Sequence, residues 1–128
     1  MPATTFHEYA EAITHLINDL VASVGVQLLD LQLDQRSPLR GFIGGVLAFD
    51  DASELHFREF IDLTQADPRL MYAYHYQDAA KNLIFRYDNA PHKPALAQSD
   101  HKHTPQDIIL GAPPTFAEVI DEILDLAR

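Results

Sequence analysis

Five runs of alternating or continuous apolar residues occupy positions 26–33, 41–49, 54–63, 70–77 and 83–87, and only short polar turns separate them. The connectors are Arg36-Ser37-Pro38, Asp50-Asp51-Ala52-Ser53, Ala66-Asp67-Pro68 and Asp78-Ala79-Ala80-Lys81-Asn82, each carrying turn-forming residues. Parallel strands need a crossover of about a dozen residues or more, usually a helix, and no connector has that length. The runs therefore predict a five-stranded antiparallel meander, each strand pairing with its neighbour in sequence. Gly44-Gly45 in the second run predicts a bulge or a close approach of two backbones.

Helical spacing flanks the strands. Thr5-Phe6-His7-Glu8 reads as a capping box. Phe6, Tyr9, Ile13, Leu16, Ile17, Leu20, Val21 and Val24 then follow the helical period up to Gly25, a natural stop. Thr115-Phe116-Ala117-Glu118 opens a second helix with Val119, Ile120, Ile123 and Leu124 on one side. The expected order within one α+β domain, residues 1–128, is a helix over 6–24, the sheet over 26–88, a histidine-rich loop over 89–114 and a helix over 115–127. Residues 108–110 read as a short edge strand inside that loop. Each helix has one apolar stripe, so both are expected on one sheet face, with the other left for a site or a partner. No apolar run approaches the ~18 residues of a membrane span, and Met1-Pro2-Ala3-Thr4-Thr5 lacks the basic-then-apolar pattern of a signal peptide. Cysteine is absent, which removes thiolate zinc sites and cysteine nucleophiles and fits a reducing cytoplasm.

Residues 71–103 concentrate the side chains that hold phosphate, stack on bases and move protons: four of the seven histidines, all three lysines and four of the five tyrosines. The net charge of −10 argues against nucleic acid for the chain as a whole. Its distribution changes that reading, because residues 69–103 hold five bases and three acids and the remainder four bases and sixteen acids. In the hairpin, Tyr72, Tyr74 and Tyr76 share one face, and a symmetric loop sets His75 opposite Ile84 and near Arg86, with Tyr74 opposite Phe85. His75, Arg86 and Asp88 are then expected on the open face. An imidazole there can take a proton from a ribose 2′-OH, and a guanidinium can hold the phosphate bidentately. A second histidine, His101 or His103, would protonate the leaving oxygen. The plain alternative is a strand histidine bonded to its neighbours beside a surface Arg86–Asp88 ion pair.

His92, His101 and His103 are an alternative metal set, since imidazole suits zinc, nickel and copper, although no C-x-x-C or H-E-x-x-H pattern accompanies them. Glu59 shares a strand face with Leu55, Phe57 and Ile61, where a carboxylate needs a partner; a tyrosine, an arginine or a catalytic histidine would serve. There is no phosphate-binding glycine loop, serine elbow or dinucleotide fingerprint.

At Tyr72-Ala73-Tyr74-His75-Tyr76-Gln77-Asp78, at Leu83-Ile84-Phe85-Arg86-Tyr87-Asp88-Asn89-Ala90-Pro91-His92 and at His101-Lys102-His103, the chain resembles the TumE-type toxin family of bacterial and archaeal toxin–antitoxin pairs. The resemblance covers roughly residues 26–126 and is most specific in the Phe85–His92 run. It implies a small toxin encoded beside a DNA-binding antitoxin, with a ribonuclease activity. It gives candidate status to His75, Arg86, Asp88, Asn89, His92, His101 and His103, and more weakly to Glu59. The chain departs from the family pattern at Lys93, where a histidine is usual, and at Ser99-Asp100, where Pro-His is usual.

The expectation drawn from these readings is a cytoplasmic, metal-free, RNA-cleaving toxin without a cofactor. Its catalytic candidates are His75, Arg86, His101, His103 and Glu59. Its RNA or phosphate contacts are Arg58, Asp88, Asn89, His92, Lys93 and Lys102. Its partners are RNA and a cognate antitoxin, in a homodimer or a toxin–antitoxin heteromer. Two other classes compete: a non-catalytic acidic module that docks a basic partner, and a histidine-ligated metal-dependent nuclease.

Overall fold

The computed structural model describes residues 3–91 and 99–127. Helix α1 spans Phe6–Ser23. Seven strands follow: β1 (Gln27–Ser37), β2 (Arg40–Ala48), β3 (Glu54–Asp62), β4 (Arg69–Gln77), β5 (Leu83–Asp88), β6 (His101–His103) and β7 (Ile108–Leu110). Helix α2, Phe116–Leu126, closes the order. The strands form one antiparallel sheet in the order β1-β2-β3-β4-β5-β6-β7, so the meander is as expected but longer.

The sheet has seven strands rather than five. The expected edge strand at Ile108–Leu110 is present as β7, and a strand not foreseen, β6, runs from His101 to His103. Three residues are too few to show a period of two. What makes the triplet a strand is its partner: Arg86, Tyr87 and Asp88 pair with His103, Lys102 and His101. Pairing there satisfies backbone groups that β5 would otherwise leave at an edge.

Both helices pack on the same face. Phe6, Ala10, Ile17 and Leu20 of α1 and Phe116, Val119, Ile120 and Ile123 of α2 are buried with Ile43, Leu47, Leu55, Phe57, Tyr74 and Phe85 of the sheet. Phe57 and Phe116 meet at 4.8 Å between ring centroids. Thr5 caps α1 by accepting from Glu8 N, but the Glu8 carboxylate turns to Thr4 N, so the first box is only half formed. At α2 the box is complete, through Glu118 N to Thr115 Oγ1 and Thr115 N to Glu118 Oε1. Gly25 stops α1 at φ +78°, in the left-handed region that favours glycine.

Gly45 explains its own presence. A Cβ there would lie 2.4 Å from the carbonyl oxygen of Asp30, where β1 shifts register between Leu28 and Asp30. The hairpin register also differs from the symmetric one. His75 lies opposite Arg86 and Tyr74 opposite Tyr87, with an irregularity between Tyr76 and Gln77. That slip of two residues preserves the face of every side chain, so the tyrosine ladder still points to the helices. No described helix is long and apolar enough to cross a membrane.

Candidate functional site

The face away from the helices is organised in two cross-strand rows. Val46, His56, His75, Arg86, His103 and Ile108 are successive partners from β2 to β7. One pair further along lie Gly44, Arg58, Ala73, Asp88, His101 and Leu110. Directly opposed residues of adjacent strands are within side-chain reach of one another, so register alone brings these groups together. Gly44 and Ala73 leave low ground between taller neighbours. A cleft of about 240 Å³ results, and among its lining residues are Asp30, Gln32, His56, Arg58, His75 and Arg86.

His75 stands in the cleft between Arg86 and Gln77. Arg86 Nη1 donates to His75 Nδ1 at 3.4 Å, and His75 Nε2 faces Gln77 Oε1 at 3.2 Å. A guanidinium only donates and a side-chain carbonyl only accepts, so Nδ1 carries the lone pair and Nε2 the proton. Burial, with the Arg86 and His56 charges beside it, holds the imidazole below the usual histidine range, against a smaller opposing pull from Gln77. His75 is thus a neutral ring whose basic nitrogen faces an arginine. His56, which the sequence reading did not single out, stands beside it with ring centroids 6.3 Å apart, and its Nε2 lies 3.0 Å from Glu54 Oε1. Its signal lay in the alternation of residues 54–63, which puts it on the open face.

Arg86 is fixed from behind, its Nε donating to Asp88 Oδ2 at 2.9 Å. Asp88 is buried and also accepts from Ala90 N at 3.0 Å. His101 Nε2 lies 3.1 Å from Asp88 Oδ1, and His103 Nε2 lies 3.8 Å from Asp88 Oδ2. His101 is 3% exposed and its Nδ1 contacts the carbonyl of Ser99. It is held in the sheet and does not swing over from a loop, as the sequence reading had it.

Other expected contacts lie elsewhere. Glu59 is on the helix side of the sheet, 1% exposed, where it accepts from the hydroxyls of Tyr9 and Tyr74. Arg69 Nη1 donates to Tyr74 Oη at 2.7 Å, bringing a positive charge to the same buried group. Burial and the nearby Glu59 charge push both phenols well above their usual range. Each hydrogen bond to such a carboxylate contributes about 1.5–3 kcal/mol, so Glu59 ties α1 to the sheet. Of the partners foreseen for it, it holds tyrosines. Lys102 also points to the helix side, where its Nζ meets Glu122 Oε2 at 2.7 Å and lies over the Phe85 and Tyr87 rings. Burial opposes its charge, yet Glu122 and Tyr87 keep the ammonium above its usual range. Asn89 mends the sheet, accepting from Tyr72 N and donating to Leu70 O. His92 and Lys93 lie outside the described residues.

The model of the family described as Toxin TumE matches residues 11–128. The chain belongs to the TumE toxin family. TumE membership makes it the toxin component of a toxin–antitoxin system and gives it an antitoxin as partner. A search of curated proteins and of solved structures finds no match. Within the TumE frame, the rows across β3 to β6 gather His75, Arg86, Asp88, His101 and His103 on one face, and leave Glu59 and Lys102 on the other.

Proposed function

We propose that this toxin cleaves RNA by attack of a ribose 2′-OH on the adjacent phosphodiester, with the cleft over Gly44 and Ala73 as its active site. The observation that carries the reading is the neutral His75 with its basic Nδ1 turned to Arg86, and with His56 and Arg58 in the same cleft. When RNA binds, Arg86 turns from His75 Nδ1 to the phosphate, and the freed Nδ1 takes the 2′-OH proton as the oxygen attacks phosphorus. Arg86 and Arg58 hold the non-bridging oxygens and stabilise the charge that builds on them. His56 returns a proton to the departing 5′ oxygen. The products are a 2′,3′-cyclic phosphate and a 5′-hydroxyl, and no water is consumed in this step. A DNA-binding antitoxin would neutralise the toxin by covering this face.

The test is a denaturing gel of single-stranded and structured RNA incubated with the purified protein in excess EDTA, beside His75→Ala. Cleavage in EDTA that falls by about 10²–10⁴-fold in the variant is expected. RNA left intact with and without added divalent metal would leave only a docking role for the acidic molecule. Cleavage that requires added metal would remove the histidine-only chemistry.

A further inference from the structure

We propose that Asp88, His101 and His103 bind a divalent transition metal of the zinc class, at a site beside the cleft that shares Asp88 with Arg86. One ligand atom from each of the three lies within 4.8 Å of the other two. The separations from Asp88, each measured to a different carboxylate oxygen, are close to those between ligands of one ion. Zinc–nitrogen and zinc–oxygen bonds of about 2.0–2.2 Å put tetrahedral ligand atoms about 3.3 Å apart. Asp88 Oδ1 to His101 Nε2 is 3.1 Å, and Asp88 Oδ2 to His103 Nε2 is 3.8 Å.

The surroundings of His101 carry the argument further. Its Nδ1 faces the Ser99 carbonyl and its Nε2 faces the Asp88 carboxylate, and both neighbours only accept. With Nδ1 engaged by the carbonyl, Nε2 is the atom aimed at the carboxylate, where a cation shared between the two would be bound by both. An imidazole that donates its second nitrogen to a backbone carbonyl is also how metal-ligating histidines are oriented. Asp88 keeps acceptor capacity for the ion, because Ala90 N and Arg86 Nε each occupy one position on its two oxygens.

Strand β6 points the same way. Outside it lies only β7, whose Ile108, Ile109 and Leu110 are all exposed, so little apolar burial fastens this corner to the sheet. An ion between Asp88 of β5 and two residues of β6 would cross-link the strands directly. The set differs from the all-histidine alternative that the sequence offered, since Asp88 supplies the third ligand. Three protein ligands leave a four-coordinate ion one position for water or an oxyanion.

The experiment uses untagged full-length protein loaded with zinc, dialysed against metal-free buffer and assayed for metal and for Tm. One zinc per chain and a raised Tm are expected in the wild type. Both should be lost in His103→Gln, whose side chain, 26% exposed, lies outside the hydrophobic core. Cobalt(II) loading of the wild type should give the intense visible bands of a four-coordinate ion. Equal zinc retention in wild type and His103→Gln, or none in either, would overturn the proposal. Should the variant fail circular dichroism as a folded protein, the cobalt spectrum of the wild type decides, six-coordinate bands or none counting against the site. RNA cleavage is not read, so failure of the ribonuclease reading leaves this result intact.

Discussion

On the proposed mechanism His75 would act as a base only while its ring is neutral, and its neighbours favour that form. Its affinity for protons is lowered by burial first and then by Arg86, so the neutral form persists to a lower pH than in an unfolded chain, where the ring titrates near about 6.5. In the window between the lowered value and about 6.5 the unfolded chain binds more protons, and acidification through it therefore weakens the fold. Cleavage should fall as pH drops through the lowered value, not through the ordinary one. A nuclear magnetic resonance titration of the His75 ring checks this without depending on activity. The midpoint should lie below about 6.5 and move upward in Arg86→Met, where the repelling charge is gone. A wild-type midpoint at or above the ordinary value would remove His75 as the neutral base.

Among the elements, the close approach of β1 and β2 is the most exposed to change. Gly45→Val has no room beside the Asp30 carbonyl, so β1 must pull away, and a loss of about 1–3 kcal/mol is expected in urea unfolding. Gly111→Ala, with nothing within 4 Å of the added carbon, should unfold like the wild type. That approach was legible beforehand, because two adjacent glycines inside an apolar run have few other uses. So were the helices, which announce themselves by caps, and the open-face positions of His75, Arg86 and Asp88, which follow from alternation. Strand β6 was hidden because its pairing with β5 is long-range and its three residues carry no period. The hairpin register was misread for a related reason: an irregularity at Tyr76 and Gln77 changes who faces whom without changing the face. Glu59 could be placed with the apolar residues of β3, but nothing in its neighbourhood named Tyr9, which comes from a helix fifty residues earlier.

For the whole molecule, charge would set how the toxin meets the RNA proposed as its substrate. A body of net charge −10 repels phosphate at long range, while Arg58 and Arg86 attract it within the cleft. Two phosphate contacts to single-stranded RNA imply a slope of about −1.4 in log affinity against log salt, about −0.7 for each contact. Filter binding across a salt series should give that slope with His75→Ala, which holds RNA uncut, and about half of it once Arg58→Gln is added. A slope near zero in the first variant would exclude the arginines as phosphate contacts.

The order of the strands has a further consequence, in time. Every strand pairs with the one made just before it, so the sheet has low contact order and can grow hairpin by hairpin during synthesis. Helix α2 is different: it follows all seven strands, and Phe116 must travel back to Phe57 on β3. Until it docks, the part of the aromatic sheet face that α1 does not cover is left to water, a state prone to aggregation. The face that carries the histidines is therefore built early, and its endurance waits on the last helix.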